Sequence, residues 1–175
     1  MNIPELILEL SDTIPDFPKP GIVFRDLTPV FADADAFTHV IDDLQARFEG
    51  KYDAVAGIEA RGFLLAAALA YAGHVPLLAV RKAGKLPGEV LSESYDLEYG
   101  TATLEIHPRQ IAEGSRVLVV DDVLATGGSA AAAARLVERT GSVVAGIGLV
   151  LELEGLGGRE RLAAYDLYSI VSEPA

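Results

Sequence analysis

There is no cysteine in the chain, and lysine and arginine are scarce: 14 of them stand against 26 aspartates and glutamates, a formal charge of −12. The first absence excludes a disulfide framework, a thiolate nucleophile and Cys-ligated zinc or iron–sulfur sites, and removes any redox reason for export. The second makes a field that repels phosphate backbones and anionic lipid, so neither nucleic acid nor a membrane surface is an expected partner. An anionic ligand must find a local exception. Long apolar runs are missing too, since no window approaches the 18 or so residues of a membrane span. The first residues, Met-Asn-Ile-Pro-Glu, lack the basic and apolar regions of a signal peptide, and the expected location is the cytoplasm.

What is present suits one globular domain. Its 175 residues are half hydrophobic and 23% charged, which matches a single domain of ordinary composition. The residues from Leu6 to Leu10 read as a short helix, followed by irregular, Pro-rich chain from Ile14 to Gly21. Phe37, Val40, Ile41, Leu44 and Phe48 fall at helical spacing, with Asp33 or Asp35 available as N-cap. A strand at Ala54 to Ile58, a nearly all-apolar helix at Phe63 to Tyr71 stopped by Gly73, and a strand at Val75 to Val80 make a β-α-β unit. Two short strands around Tyr99-Gly100 follow, then a strand at Arg116 to Val120. A helix at Gly128 to Arg139 is stopped by Gly141, and a further strand covers Val143 to Glu152. Apolar strands alternating with helices predict an α/β fold with a mostly parallel sheet covered on both faces. Ligands of such sheets bind at the strands' carboxyl ends.

The most informative run is VLVVDDVLATGGSA, residues 117–130. A buried strand delivers a small-residue loop to the sheet edge, glycines let successive N–H groups converge, and the following helix adds free donors and its positive dipole end. That combination suits a phosphate monoester, with Thr126 and Ser129 adding hydroxyls. Asp121 and Asp122, placed just after the strand, can accept from the vicinal hydroxyls of a sugar whose phosphate fills the loop. TGGS alone would be a tight turn with Ser129 as N-cap, but the whole run is more specific than that. It is neither a Walker loop nor the Gly-x-Gly-x-x-Gly of dinucleotide binders.

Between Arg61 and Lys85 there is no acid, while Arg61, Arg81, Lys82 and Lys85 give that window a charge of +4. Here is the local exception: arginines can clamp diphosphate oxygens bidentately, lysines act as point charges, and Arg61 and Arg81 each follow the carboxyl end of a strand. His74 and His107 read as surface or strand-end residues, and no group with metal-ligand spacing stands out.

The run at 117–130 resembles the phosphoribosyl-pyrophosphate signature of the type I phosphoribosyltransferases. GIEARGFLLA, VRKAGKLPGE and YDLEYG are similar to segments of the adenine phosphoribosyltransferase subfamily in particular, as is FPKPGIVFRDLTPV. The resemblance runs from Ile14 to Tyr168. It implies that Ala125, Thr126, Gly127, Gly128 and Ser129 cradle the 5-phosphate of phosphoribosyl pyrophosphate, that Asp121 and Asp122 serve the ribose, and that Arg61, Arg81, Lys82 and Lys85 hold the diphosphate. Ala83 departs from the many members that carry a basic residue there. The resemblance further implies a base site with Phe24 stacking, the backbone of Val23 and Arg25 reading the base edge, and Leu153 on its other face. Glu98 becomes a loop carboxylate that assists proton transfer and Tyr99 its covering neighbour, with Glu98 and Arg61 as the catalytic pair. The implied architecture is one phosphoribosyltransferase domain over 1–175, its first 32 or so residues contributing to a hood, with a flexible loop. The implied reaction is adenine plus phosphoribosyl pyrophosphate giving AMP and diphosphate in purine salvage, by a cytoplasmic homodimer. Mg2+ would be the cofactor, carried in by diphosphate and ribose oxygens rather than a protein cage. A 6-oxopurine substrate and a non-enzymatic phosphoribosyl-pyrophosphate sensor are the alternatives.

Overall fold

The computed structural model describes residues 2–97 and 100–175. The chain forms two compact units, Met1–Asp43 and Leu44–Ala175.

In the first unit, helix α1 (Ile3–Leu10) opens with a reciprocal capping box in which the Asn2 side chain accepts from the Glu5 N–H and the Glu5 carboxylate accepts from the Asn2 N–H. The Pro-rich stretch that read as irregular chain is in fact an antiparallel ribbon of β1 (Asp12–Pro15) and β2 (Val23–Asp26), with Ile14 opposite Phe24. Its prolines sit where ribbon edges tolerate them, at the strand end and in the connection, which contains a cis Phe17–Pro18 bond. The Asp26 carboxylate then accepts from the Thr28 N–H at the start of α2 (Thr28–Ala32), a short helix that the sequence pattern does not announce. Helix α3 (Ala34–Phe48) follows as expected, Asp33 accepting from the Ala36 N–H at 2.8 Å.

The second unit begins with the last turn of α3. Next come β3 (Ala54–Ile58), α4 (Gly62–Gly73), β4 (Leu77–Lys82), β5 (Leu91–Asp96), β6 (Thr101–Ile106), β7 (Arg116–Leu124), α5 (Gly128–Arg139), β8 (Val143–Glu154), α6 (Gly158–Arg161) and β9 (Leu167–Pro174). Seven strands form one sheet in the order β5-β6-β4-β3-β7-β8-β9. The β4-β3-β7-β8-β9 ladder is parallel throughout, and β6 pairs antiparallel with both β4 and β5. Every residue of β3 is buried, as a central parallel strand requires. Alanines 130–134 of α5 are all buried in the core, which lets that helix lie close on the sheet.

Two of the differences from the sequence expectation concern where α4 and β7 end. Helix α4 runs through Gly73 and is terminated by His74 in the left-handed region at φ 53°. Strand β7 continues four residues past Val120, because β8 runs alongside and pairs Asp121 with Leu149 and Val123 with Leu151. Asp121 and Asp122 are therefore strand residues, held by a ladder rather than by a loop.

Candidate active site

The parallel strands bring their carboxyl ends to one edge of the sheet, and most of the predicted phosphate-handling residues stand there. Ala125, Thr126 and Gly127 link β7 to α5. Gly127 takes φ 78°, a conformation that favours glycine, and is the N-cap of α5; Ser129 is not. Among the described residues no side chain caps this helix, so its first-turn amides retain donor capacity toward them. The loop is packed on a second one. A Cβ on Gly158 would stand 2.4 Å from the Ala125 carbonyl oxygen, and one on Gly127 would stand 3.1 Å from the Gly158 Cα. An ion pair to a buried carboxylate fixes that second loop: Glu152 in β8 accepts from the half-exposed Arg159 through its Nε at 2.9 Å and from Ser169 Oγ at 2.8 Å. Arg159 holds the Glu152 carboxyl below its ordinary pKa against the upward push of burial, with Ser169 adding to the lowering.

On the sheet side of the cradle, α4 starts in contact with the end of β7. A Cβ on Gly62 would meet the Val120 carbonyl at 2.8 Å and Asp121 Oδ1 at 3.1 Å, so only glycine lets the β3–α4 turn come this close. That approach puts the Arg61 Nε–H on the buried Asp122 carboxylate. Burial and the neighbouring Asp122 charge push the Asp121 carboxyl well above its ordinary value, the hydrogen bond it accepts from the Asp122 N–H and the Arg61 cation pulling the other way. The peptide between Glu59 and Ala60, in the same turn, is cis.

Arg81, Lys82 and Lys85 also gather at this edge, around a residue that sequence reasoning missed. Glu59 accepts from the Lys82 N–H at 2.9 Å, pairs with the Lys85 ammonium, and lies 3.4 Å from Arg81 Nε. Burial pushes the Glu59 carboxyl up, yet Lys85, the Lys82 N–H and Arg81 together outweigh it and leave the pKa lowered. The acid-free window is thus balanced by the acid two positions before it. That signal was in the sequence, but only the parallel pairing of β3 with β4 joins the two. The Lys82 side chain itself makes no hydrogen bond or ion pair among the described residues.

The remaining expectations are placed as follows. In the first unit, Val23, Phe24 and Arg25 form most of β2. Val23 is exposed, Phe24 meets Phe17 edge to face at 5.1 Å, and an Arg25 guanidinium N–H donates to Thr13 Oγ1. Leu153 is half-buried near the end of β8, opposite Glu173 in β9. Glu98 and Tyr99 lie outside the described residues. Just before them, the Tyr95 ring covers Gly128, where a Cβ would stand 3.0 Å from Tyr95 Cδ2. Among the described residues no three His, Asp or Glu side chains form a group that could hold a metal ion, and no helix is long and apolar enough to cross a membrane.

One sheet edge thus carries an acidic pair near the end of β7, a glycine cradle on the N-terminus of α5 and, two strands away after β4, a cationic turn. The family model described as phosphoribosyl transferase domain matches residues 30–171. Among similar proteins, an adenine phosphoribosyltransferase from Clavibacter michiganensis is 66% identical over 96% of this chain and 95% of its own. The crystal structure of adenine phosphoribosyltransferase from Thermoanaerobacter pseudethanolicus superposes with a TM-score of 0.94 at 50% identity, covering 98% of this chain and all of that one. The enzyme from Saccharomyces cerevisiae, solved with an imino-altritol bisphosphate and adenine, gives 0.89 at 40% identity over 96% and 98% of the two chains. The chain belongs to the phosphoribosyltransferase family and, within it, to the adenine phosphoribosyltransferases.

Proposed function

We propose that the chain transfers the phosphoribosyl group of phosphoribosyl pyrophosphate to adenine, giving AMP and diphosphate, in purine salvage. The carrying observation is that one sheet edge holds a helix N-terminus opened by Gly127, two carboxylates and the cationic turn around Glu59. The cradle of Ala125, Thr126, Gly127, Gly128 and Ser129 takes the 5-phosphate through amides and hydroxyls. Asp121 and Asp122 accept from the ribose hydroxyls. Arg61, Arg81, Lys82 and Lys85 neutralise the departing diphosphate as the bond from C1 to its oxygen breaks. N9 of adenine forms the new bond to C1 and gives up its proton, a transfer that Glu98 assists while Tyr99 covers the site. Water must be excluded, because it would capture the oxocarbenium-like sugar. Phe24 stacks on the base, the backbone of Val23 and Arg25 reads its edge, and Leu153 takes the opposite face, so that residues 1–32 act as a hood of one catalytic domain.

Mg2+ fits this set of donors as a guest of the substrate. The chain offers two adjacent carboxylates, one of them already paired with Arg61, and a divalent cation there would draw most of its oxygens from diphosphate and water. When bound, it spreads the charge of the leaving diphosphate. We place the enzyme in the cytoplasm and assign it a homodimeric state. Supporting the dimer, α4 and the start of β4 expose Leu64, Tyr71 and Leu77, with Tyr71 90% accessible, an apolar face suited to a second copy. Tyr71→Glu should then halve the mass seen by analytical ultracentrifugation.

The test of the activity is turnover with Mg2+, phosphoribosyl pyrophosphate and each nucleobase in turn. AMP should form from adenine, and hypoxanthine, guanine and xanthine should give little nucleotide, since they present an acceptor where adenine presents a donor. Faster turnover of a 6-oxopurine, or tight phosphoribosyl-pyrophosphate binding without any nucleotide, would overturn the reading.

A further inference from the structure

The cradle loop, residues 125–129, carries no charged side chain, although the phosphate it is proposed to hold is close to dianionic at neutral pH. A guanidinium stands beside it. A Cβ on Gly128 would lie 3.5 Å from Arg161 Nη1, so the Arg161 head group borders the first residue of α5. Every other arginine of the Leu44–Ala175 unit meets a carboxylate, from Arg47 with Asp166 to Arg159 with Glu152. Arg161 alone makes no ion pair and no side-chain hydrogen bond among the described residues, in a chain with 26 acids. Its backbone is nonetheless held: the Arg161 N–H donates to the Gly157 carbonyl at 3.1 Å, and the same short helix is fastened to β8 by Arg159 and Glu152.

We propose that Arg161 is a binding residue for the sugar 5-phosphate, its guanidinium supplying the cation that the neutral cradle lacks. This rests on the cradle's proposed role. An arginine kept clear of carboxylates, on a segment packed against the cradle, is available for a phosphate monoester and can meet two of its oxygens at once. It complements the cations around Glu59, which take the diphosphate, so the two ends of phosphoribosyl pyrophosphate are neutralised by separate elements. The assignment also gives α6 a purpose beyond packing: its anchor at Arg159 sets the position of Arg161.

The experiment compares the full-length wild type with Arg161→Gln and Arg161→Lys. Losing one charge-assisted hydrogen bond should raise the KM for phosphoribosyl pyrophosphate and weaken AMP binding, titrated calorimetrically, by about tenfold to a hundredfold in Arg161→Gln. Inhibition by inorganic diphosphate and the melting temperature should stay near wild type, Arg161→Lys should recover part of the loss, and AMP binding by Arg161→Gln should depend less on salt. AMP affinity within twofold of wild type in Arg161→Gln would overturn the assignment. So would equal weakening of AMP and diphosphate. If the wild type makes no AMP from adenine, the proposed activity fails; if it does and Arg161→Gln keeps the wild-type KM, only the role of Arg161 fails.

Discussion

Arg61 donates its Nε–H to the carboxylate of Asp122, and this contact fastens the turn after β3 to the acidic end of β7. The pair is unequal in its surroundings: the Asp122 side chain is 5% exposed and that of Arg61 37%. Removing the cation therefore strands a buried carboxylate, whereas removing the carboxylate leaves a cation that water can reach. Arg61→Ala should cost about 3 kcal/mol of folding stability and Asp122→Ala only about 1 kcal/mol, with turnover nearly abolished in both. Urea unfolding beside an AMP-formation assay checks this. An Asp122→Ala protein less stable than Arg61→Ala would contradict the burial argument, and near-normal activity would remove Asp122 from the site.

Asp121 carries the opposite liability. Its carboxyl is raised well above the ordinary 3.8 by burial and by the Asp122 charge, so ionising it opposes folding. The penalty is absent below about pH 4, where both folded and unfolded chains hold the proton, and it grows as pH rises toward the folded value. Asp121→Asn should accordingly stabilise the protein at pH 8 by about 0.5 to 2 kcal/mol and lose that gain near pH 3.5. Turnover should fall, because an amide offers the ribose hydroxyls no charge. Denaturant unfolding at the two pH values decides it, and a gain that is larger in acid would reverse the assigned sign.

The parts of this fold and site that could be read from the sequence were those built from neighbours in the chain. Helix α5 runs from Gly128 to Arg139 as expected because its glycine start, alanine face and Gly141 all lie in one window. The sequence pattern ends the strand at Val120, just before the acidic pair, since nothing local reveals that β8 extends the ladder past it. The β1–β2 ribbon was hidden by prolines whose missing N–H groups are harmless at an edge, and β9 by its serines and glutamate. Glu59 and Gly158 went unseen for a different reason: their partners, Lys82, Lys85 and Ala125, are remote in sequence and reach them only through tertiary packing.

Glu59 now holds cations that an incoming diphosphate would also claim. With its pKa net lowered by Lys85, the Lys82 N–H and Arg81 in spite of burial, it remains ionised at neutral pH and competes for them. Glu59→Gln should bind inorganic diphosphate several-fold more tightly, and kcat should drop if release of that product limits the cycle. Stability should fall by about 1 kcal/mol as the charged hydrogen bonds weaken. Product-inhibition constants give the answer directly; weaker diphosphate inhibition would mean that Glu59 organises the cationic turn more than it competes for it.

Gly158 supports the cradle from behind, at a distance no side chain can occupy. An added Cβ would stand 2.4 Å from the Ala125 carbonyl oxygen and 2.9 Å from the Leu124 side chain, and the first of these is backbone that cannot swing aside. Gly158→Ala must push α6 or the cradle loop outward, so we expect a loss of about 1 to 3 kcal/mol in stability together with a KM for phosphoribosyl pyrophosphate raised tenfold or more. Gly155→Ala is the control: Gly155 sits at φ 86° with open space around it. Alanine there should cost about 1 kcal/mol from left-handed strain and leave that KM near wild type. Matched losses of stability with matched KM values would show that the cradle tolerates displacement of its support, whereas a KM change confined to Gly158→Ala ties phosphate binding to the packing of these two loops.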